Sequence, residues 1–285
     1  MNDNSSFEHL LRRCGLSERV LSVQKLSGGD ISQAFLVHTQ HGPLFAKVNH
    51  EVGLSFEPEA LSLRLMAEVC HILRIPEVLG LCSTTEEGPG ALVLSYVERG
   101  PTGGDFEVSL AEGLAEMHRA TAPSFGFPCE TYCGATIQPN PWTDSWSTFF
   151  VEHRLRHHAS LMMSRGRIAH TRVFDQIEPD LPEPGTPALI HGDLWSGNIM
   201  ADMNGRPVLI DPAAYYGCPE AELGMLTWLG GRSETFYRTY GEACGLPSDW
   251  RQRNPLYQLV HVMNHATLFG GSYVDQAIRL AQRLT

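Results

Sequence analysis

Ala188-Leu189-Ile190-His191-Gly192-Asp193-Leu194-Trp195-Ser196-Gly197-Asn198-Ile199-Met200 runs an apolar strand into a loop carrying His, Asp and Asn, and then into a second apolar run. Leu209-Ile210-Asp211 follows, another apolar run that ends in a carboxylate. Asp193 and Asn198 are five positions apart, and Asn198 and Asp211 thirteen. Phosphoryl transfer asks little of a protein beyond a group to orient the attacking hydroxyl and oxygen ligands that hold Mg²⁺ against phosphates. Asp193 fits the first role, and Asn198 with Asp211 fits the second. Singly, Asp and Asn also cap turns; His191, Asp193, Asn198 and Asp211 together, at this spacing, outweigh that reading. His191 is taken to hold backbone rather than to move protons.

Upstream, the chain should supply a cation for the phosphates. Leu44-Phe45-Ala46-Lys47-Val48 reads as a strand, with Lys47 on the face opposite Leu44, Ala46 and Val48. In the helix that follows, Glu59 shares a face with Leu63, Met66 and Cys70. A carboxylate on an apolar face is costly unless paired, and Lys47 is its natural partner. The competing reading leaves Lys47 solvated at a strand edge and turns Glu57 inward instead. Ser27-Gly28-Gly29-Asp30-Ile31-Ser32 lies between the first two strands, where a phosphate-covering loop would sit. It is neither GxGxxG nor GxxxxGK[ST], and by itself it is an ordinary hairpin turn. Backbone groups near Ser95, Tyr96 and Val97, at the end of Ala91–Val97, could receive an adenine.

Around these motifs the chain divides in character. Val20–Leu26, Ile31–Thr39 and Leu44–Val48 read as strands, then Glu57–Cys70 as a helix with Pro58 in its first turn, then Val78–Cys82 and Ala91–Val97 as two more strands. From Gly104 onward helical periodicity dominates, over Leu110–Thr121, Trp142–Arg165, Leu256–Phe269 and Tyr273–Leu284, with a strand-rich island at Ala188–Asp211. The expected fold is α+β and bilobal: residues 1–97 form a small antiparallel sheet lobe with one helix, and 98–285 a larger, mainly helical lobe. Met1–Leu16 lacks a signal-peptide pattern and reads as an amphipathic helix through Phe7, Leu10, Leu11 and Cys14.

Hydrophobic residues at 42% and charged residues at 19% suit a globular domain with a real core. A net charge of −11 disfavours nucleic acid and anionic lipid as partners, and no run approaches a bilayer span. Seven scattered cysteines without a CxxC pair point to reduced thiols and a cytoplasmic location.

The H-x-D-L-x-x-x-N spacing with a downstream Asp is the protein-kinase pattern, and the fuller motif set is more specific. The chain resembles the fructosamine kinases, or ketosamine-3-kinases, relatives of aminoglycoside phosphotransferases and choline kinases on the protein-kinase-like fold. The resemblance runs almost end to end. His-Gly-Asp-Leu-Trp-Ser-Gly-Asn at 191–198 carries it furthest, because aminoglycoside kinases usually lack the Trp-Ser-Gly. Asp211-Pro212-Ala213, Tyr215-Tyr216-Gly217 and Glu220-Ala221-Glu222-Leu223 resemble family segments, as do Gly28–Ala34 and Phe45-Ala46-Lys47. Gly134, Thr136, Gln138, Asn140, Trp142, Trp146, Phe149-Phe150 and Arg154-Leu155 form another similar stretch. Trp142 and Trp146 are i, i+4 if helical there, and are either both core or part of a wall of the sugar pocket.

The resemblance implies ATP and Mg²⁺ as cofactors, with phosphates under Gly28, Gly29, Asp30, Ile31 and Ser32 and against Lys47, which Glu59 holds. It implies metal ligation by Asn198 and Asp211, and proton acceptance by Asp193 from the 3-hydroxyl of a ketosamine such as a fructosamine, ribulosamine or glycated lysine. Phosphorylation there makes the adduct labile and frees the amine. Gln138, Asn140, Trp142 and Trp195 are candidate substrate contacts. The sequence departs from the family at Ser95, where an acidic residue is usual, and at Cys129–Cys133, which replaces a more polar stretch. Other readings stay open: a kinase of an aminoglycoside- or choline-like molecule, or a nucleotide-binding regulator without turnover.

Overall fold

The computed structural model describes residues 4–26, 32–51, 55–177, 181 and 185–285. Helix α1 (Asn4–Arg13) lays Phe7, Leu10 and Leu11 into the core, as its apolar spacing requires. Strands β1 (Val20–Leu26), β2 (Gln33–Thr39) and β3 (Gly42–Asn49) follow, then α2 (Glu57–Val69), β4 (Val78–Cys82) and β5 (Gly90–Ser95). They build one antiparallel five-stranded sheet in the order β1-β2-β3-β5-β4. One core lies between α1 and the sheet, around Phe7, Phe35, Val37, Ala46 and Val93. A second joins α2 to β5 through Ala60, Leu63, Leu92 and Leu94.

The chain leaves β5 at Ser95 and enters α3 (Phe106–Met117) after ten intervening residues. A small hairpin comes next, β6 (Thr131–Cys133) and β7 (Thr136–Gln138), joined by Gly134-Ala135. Gly134 adopts φ 61 at the first turn position, the conformation a two-residue hairpin loop demands. Sequence periodicity gave no sign of this hairpin, since each strand has only three residues. The helical run expected over Trp142–Arg165 begins at Trp146, where the Ser145 hydroxyl accepts the Thr148 N–H at 3.2 Å. It continues as α4 (Trp146–Phe150), a π-helical segment Val151–Arg156, and α5 (His157–Ser164). Trp142 therefore lies outside the helix. The π segment inserts an extra residue into the turn and re-aims Arg154 and Leu155 inward.

After α6 (Arg172–Asp175) come β8 (Ala188–Ile190), a 3₁₀ turn at Ser196–Asn198, β9 (Ile199–Ala201), β10 (Pro207–Leu209) and β11 (Tyr215–Gly217). These pair as two short antiparallel ladders, β9 with β10 and β8 with β11. Four helices close the chain: α7 (Pro219–Trp228), α8 (Glu234–Cys244), α9 (Trp250–Phe269) and α10 (Ser272–Ala281). Helix α9 starts at Trp250, earlier than the Leu256 expected, and takes Pro255 inside it. The main core gathers α3, the α4–α5 helix, the two ladders and α7–α10, around a fully buried Trp146 and Tyr240. It also takes in Met66 and Cys70 of α2, so that helix is shared between the sheet and the helical body. That sharing fixes α2, and Glu59 on it, relative to the loops at 191–213.

Candidate functional site

Two short strands and their loops place the carboxylates. Strand β8 delivers His191 at its end, and its neighbour β11 follows Asp211. His191 is fully buried, its Nε2 2.9 Å from the Ile210 carbonyl oxygen, while the Asp193 N–H donates to its Nδ1 at 3.3 Å. Those partners put the ring proton on Nε2 and make the imidazole a clip between two loops. Burial lowers its affinity for a second proton. The backbone holds the loops from the other side, with Ala213 N–H donating to His191 O at 2.9 Å and Ile210 N–H to Asn198 O at 3.1 Å. Gly192 has φ 80, and a Cβ there would collide with the Ala213 carbonyl oxygen, so no other residue fits this turn without moving the loop.

Glu222 on α7 completes the anchor. Its buried carboxylate accepts the N–H groups of His191 and of Gly192, the latter at 3.1 Å. Burial pushes Glu222 up, but His118 at 3.6 Å, His191 and the His191 N–H together outweigh it and hold the carboxyl below its ordinary range. Sequence reasoning placed Glu222 only in a family-like segment. Two acidic residues, Glu220 and Glu222, opening a helix that is otherwise mostly apolar were the available signal.

The Asp193 Oδ1 atom is buried without a hydrogen-bond partner by geometry. Its Oδ2 lies 3.4 Å from Asn198 Nδ2, which also donates to the Asp193 carbonyl oxygen at 2.8 Å. Burial pushes the Asp193 carboxyl up to about 7, and the charges of Asp211 and Glu222 act in the same direction, against the Cys133 thiol and the Asn198 amide. An aspartate so placed is a base with a pKa near neutrality. Asp211 has φ 57, the one non-glycine positive φ among the described residues; Asp tolerates this region better than most residues. Its side chain is 45% exposed, and its Oδ1 lies 2.8 Å from Lys47 Nζ.

Lys47 projects from β3 and also meets Glu59 Oε1 at 2.7 Å. Glu57 is exposed, so Glu59 is the inward carboxylate. Burial pulls the Lys47 ammonium down, yet Glu59 and Asp211 outweigh it and hold the group above the ordinary lysine range. Burial pushes Glu59 up more strongly than Lys47 pulls it down. The structure thus brings Lys47, Glu59 and Asp211 into one chain of contacts, and Asp193 with Asn198 into another.

The remaining sequence candidates fall in different places. Gly28, Gly29, Asp30 and Ile31 lie outside the described residues, and Ser32 is a bend leading into β2. Ser95 spends its N–H and hydroxyl on Glu77, at 2.9 Å each; Tyr96 and Val97 follow, half-exposed. Asn140 is consumed by the fold: its amide nitrogen donates to Cys129 O and Thr131 Oγ1 at 3.0 Å, and its oxygen accepts from Arg154 at 2.6 Å. Gln138 is buried on β7, with Oε1 3.2 Å from His158 Nε2. Trp146 is core, while Trp142 is exposed beside Tyr216, ring centroids 6.2 Å apart. Trp195 is also exposed, its indole lying so closely over Gly197 that a Cβ there would strike the ring. That contact accounts for glycine in the Trp-Ser-Gly triplet.

The fructosamine kinase family profile matches residues 4–285. The chain belongs to the fructosamine kinase family. A probable ketoamine kinase of Synechocystis sp. is 35% identical over 283 residues, spanning 97% of this chain and 94% of that one. The crystal structure of a Thermobifida fusca protein assigned as a fructosamine-3-kinase superposes with a TM-score of 0.87 at 28% identity, covering 99% of both chains. An aminoglycoside phosphotransferase, APH(4)-Ia, solved with ADP and hygromycin B, superposes at 0.60 and 17% identity over 97% of each chain, and so shares the kinase-like fold. Among the described residues no helix is long and apolar enough to cross a membrane.

Proposed function

We propose that this fructosamine kinase family member transfers the γ-phosphate of ATP to the 3-hydroxyl of a ketosamine, releasing the amine once the phosphorylated adduct breaks down. The observation that carries the reading is the convergence of Lys47 and Asp211, 2.8 Å apart although 164 residues apart in sequence, beside a loop whose Asp193 has a base-like carboxyl.

Asp193 accepts the proton of the attacking hydroxyl, its Oδ1 being buried and without a hydrogen-bond partner by geometry. Lys47, fixed by Glu59, faces the nucleotide phosphates from under the sheet. Asn198 and Asp211 are the residues that would hold Mg²⁺. They fit it: both offer hard oxygen ligands, Asn198 spends its nitrogen on Asp193 and keeps its oxygen available, and Asp211 is half-exposed. Bound there, the metal supplies charge neutralisation to the transferring phosphoryl group. His191, Gly192 and Glu222 keep the Asp193 loop rigid, which is what positioning catalysis requires. Trp142 and Trp195, both exposed aromatics, are retained as candidate substrate contacts, and Gln138 as a buried one. Seven free thiols accord with a reducing compartment such as the cytoplasm.

The test is an ATP-consumption assay with Mg²⁺ on fructose-lysine, ribulose-lysine, psicose-lysine, kanamycin and choline. Turnover on the ketosamines alone is expected. Turnover on kanamycin or choline alone overturns the substrate assignment, and ATP binding without product on any of them overturns the activity.

A further inference from the structure

Two thiols meet on the face of the five-stranded sheet turned away from Lys47. Cys14 directly follows α1, and with Cys82 of β4 it packs into the core that holds Phe7, Ala46, Val48 and Ala91. Ala46 and Val48 flank Lys47 on β3 and so point to the opposite face from it. The two sulfurs are 2.9 Å apart. Buried cysteines commonly serve as small apolar residues, but packing alone does not bring two sulfurs this close. A disulfide bond, at about 2.05 Å, is less than an ångström away.

Both backbones are held in place for it. Gly15 N–H donates to Arg12 O at 3.0 Å and Leu16 N–H to Leu11 O at 2.8 Å, which closes the helix around Cys14. Cys82 is fixed opposite Ala91 in the β4–β5 ladder. Gly80, two residues before Cys82 and on the same face of β4, is what lets the helix end lie against the strand: a Cβ there would stand 2.7 Å from the Cys14 carbonyl oxygen. Arg13 ties the same helix end to the β4–β5 turn through Pro89 O, Ser83 O and Thr85 Oγ1, at 2.6, 2.8 and 3.1 Å.

The pair is asymmetric. Cys14 is 7% exposed, whereas Cys82 is half-buried. An oxidant arriving from solvent therefore meets Cys82, with Cys14 behind it. The hydrogen bond to Cys82, burial and the Cys82 charge together hold the Cys14 thiol protonated. Capping Cys82 removes the first and the third of these, which frees Cys14 to attack.

We propose that Cys14 and Cys82 are an oxidative modification site, at which a small disulfide of the glutathione type drives an intramolecular disulfide that staples α1 to β4. Cys82 attacks one sulfur of the small disulfide and releases the other half as a thiolate. Cys14 then attacks Cys82 Sγ and expels the second half, its proton leaving with that half as a thiol. The two protein sulfurs lose two electrons, and the small disulfide gains both. The bond joins positions 68 residues apart, so it restrains a long stretch of the unfolded lobe.

The full chain is incubated with oxidised glutathione near neutral pH and quenched with acid. Remaining thiols are blocked with N-ethylmaleimide in denaturant, and unreduced peptides are read by mass spectrometry. A peptide pair joined through Cys14 and Cys82 is expected, the other five of the seven thiols carrying maleimide, and dithiothreitol should restore all seven. Cys14→Ser should stop at a glutathione adduct on Cys82, and Cys82→Ser should leave Cys14 unmodified. The oxidised wild type should melt about 5 °C or more above the reduced wild type, a comparison that needs no variant to fold. A wild type that stops at the Cys82 adduct, or that joins other thiols in preference, overturns the site. A Cys14–Cys82 bond that leaves the melting temperature unchanged or lowers it overturns the staple.

Discussion

Lys47 and Asp211 are 164 residues apart in sequence and 2.8 Å apart in space. One stands on the five-stranded sheet and the other on the loop between β10 and β11, so their contact ties the sheet to the helical body at the point where phosphates would lie. The contact also sets a competition. Under the proposed function, the carboxylate that pairs with an ammonium in the nucleotide-free protein would turn to a metal ion on nucleotide binding, and Lys47 to phosphate oxygens. Glu59 keeps the ammonium in place through that exchange.

Asp211→Ala should accordingly abolish the Mg²⁺-dependent component of nucleotide binding, read by calorimetry with and without the metal. Lys47→Met should lower kcat by about 10²–10³-fold, as loss of one preorganised group facing developing charge does. Nucleotide affinity in Asp211→Ala that still rises with Mg²⁺ as in the wild type would remove Asp211 from the metal site.

Glu222 tests whether the loop needs its anchor. Glu222→Gln keeps the shape but replaces one acceptor oxygen with an amide NH2 that faces a backbone N–H. A charge-assisted hydrogen bond is lost and a donor is stranded, costing about 1.5–3 kcal/mol of stability. Displacement of Asp193 by even an ångström should lower kcat by about 10²-fold. The ATP KM should change little, because Glu222 meets the catalytic loop and His118 and none of Lys47, Glu59 and Asp211. A variant with wild-type kcat would show that the loop holds its shape without it.

Asp193 should be a stability liability. Its folded-state carboxyl titrates at about 7 against an ordinary value of 3.8, so the folded protein binds a proton more tightly than the unfolded chain. The stabilisation is therefore full below about pH 4 and is lost as pH rises through 7, a loss of up to about 4 kcal/mol, less what residual solvation removes. In EDTA, Asp193→Asn should melt several degrees above the wild type at pH 8, with the gap narrowing toward pH 5, while turnover disappears. Equal melting temperatures at pH 8 would show that the carboxylate is better solvated than the geometry indicates.

Much of this site was legible in the sequence because its parts are local. Asp193, Asn198 and Asp211 sit at fixed spacings on loops between apolar runs, and Glu59 is the acidic residue on the buried face of its helix. What could not be read was contact between distant segments. Nothing in the spacing told that Lys47 would reach Asp211, or that Cys133 would face Asp193 from a three-residue strand. Asn140 and Gln138 looked alike as polar residues near a sugar-like stretch. Packing against Arg154 made one a strut, and packing against His158 made the other the partner of a buried imidazole. Trp142 and Trp146 looked like one helical face, but the Ser145 cap starts the helix between them and sends one to solvent and the other to the core.

The seven thiols are likewise distinguished only by the fold. Cys14, at the end of α1, and Cys82, at the end of β4, bring their sulfurs to 2.9 Å. The Arg13 guanidinium lies alongside, bonded to the Ser83 and Pro89 carbonyl oxygens at 2.8 and 2.6 Å. A hydrogen bond from the Cys14 thiol lowers Cys82 to about 6, outweighing burial, with help from the Ala91 backbone and the Arg13 charge. Burial instead pushes Cys70 and Cys218 up to about 12. Cys82 should therefore be mostly thiolate at pH 7 and, being half-buried rather than sealed, should be alkylated first. Timed iodoacetamide labelling at pH 7, read by peptide mass spectrometry, should find Cys82 modified ahead of the other six. In Cys14→Ala, where the donated hydrogen bond is gone, its rate at pH 7 should fall several-fold and recover by pH 9, as the thiol returns toward its ordinary range of about 8.5. Faster labelling of Cys82 in Cys14→Ala at pH 7 would show that Cys14 shields the thiolate rather than stabilising it.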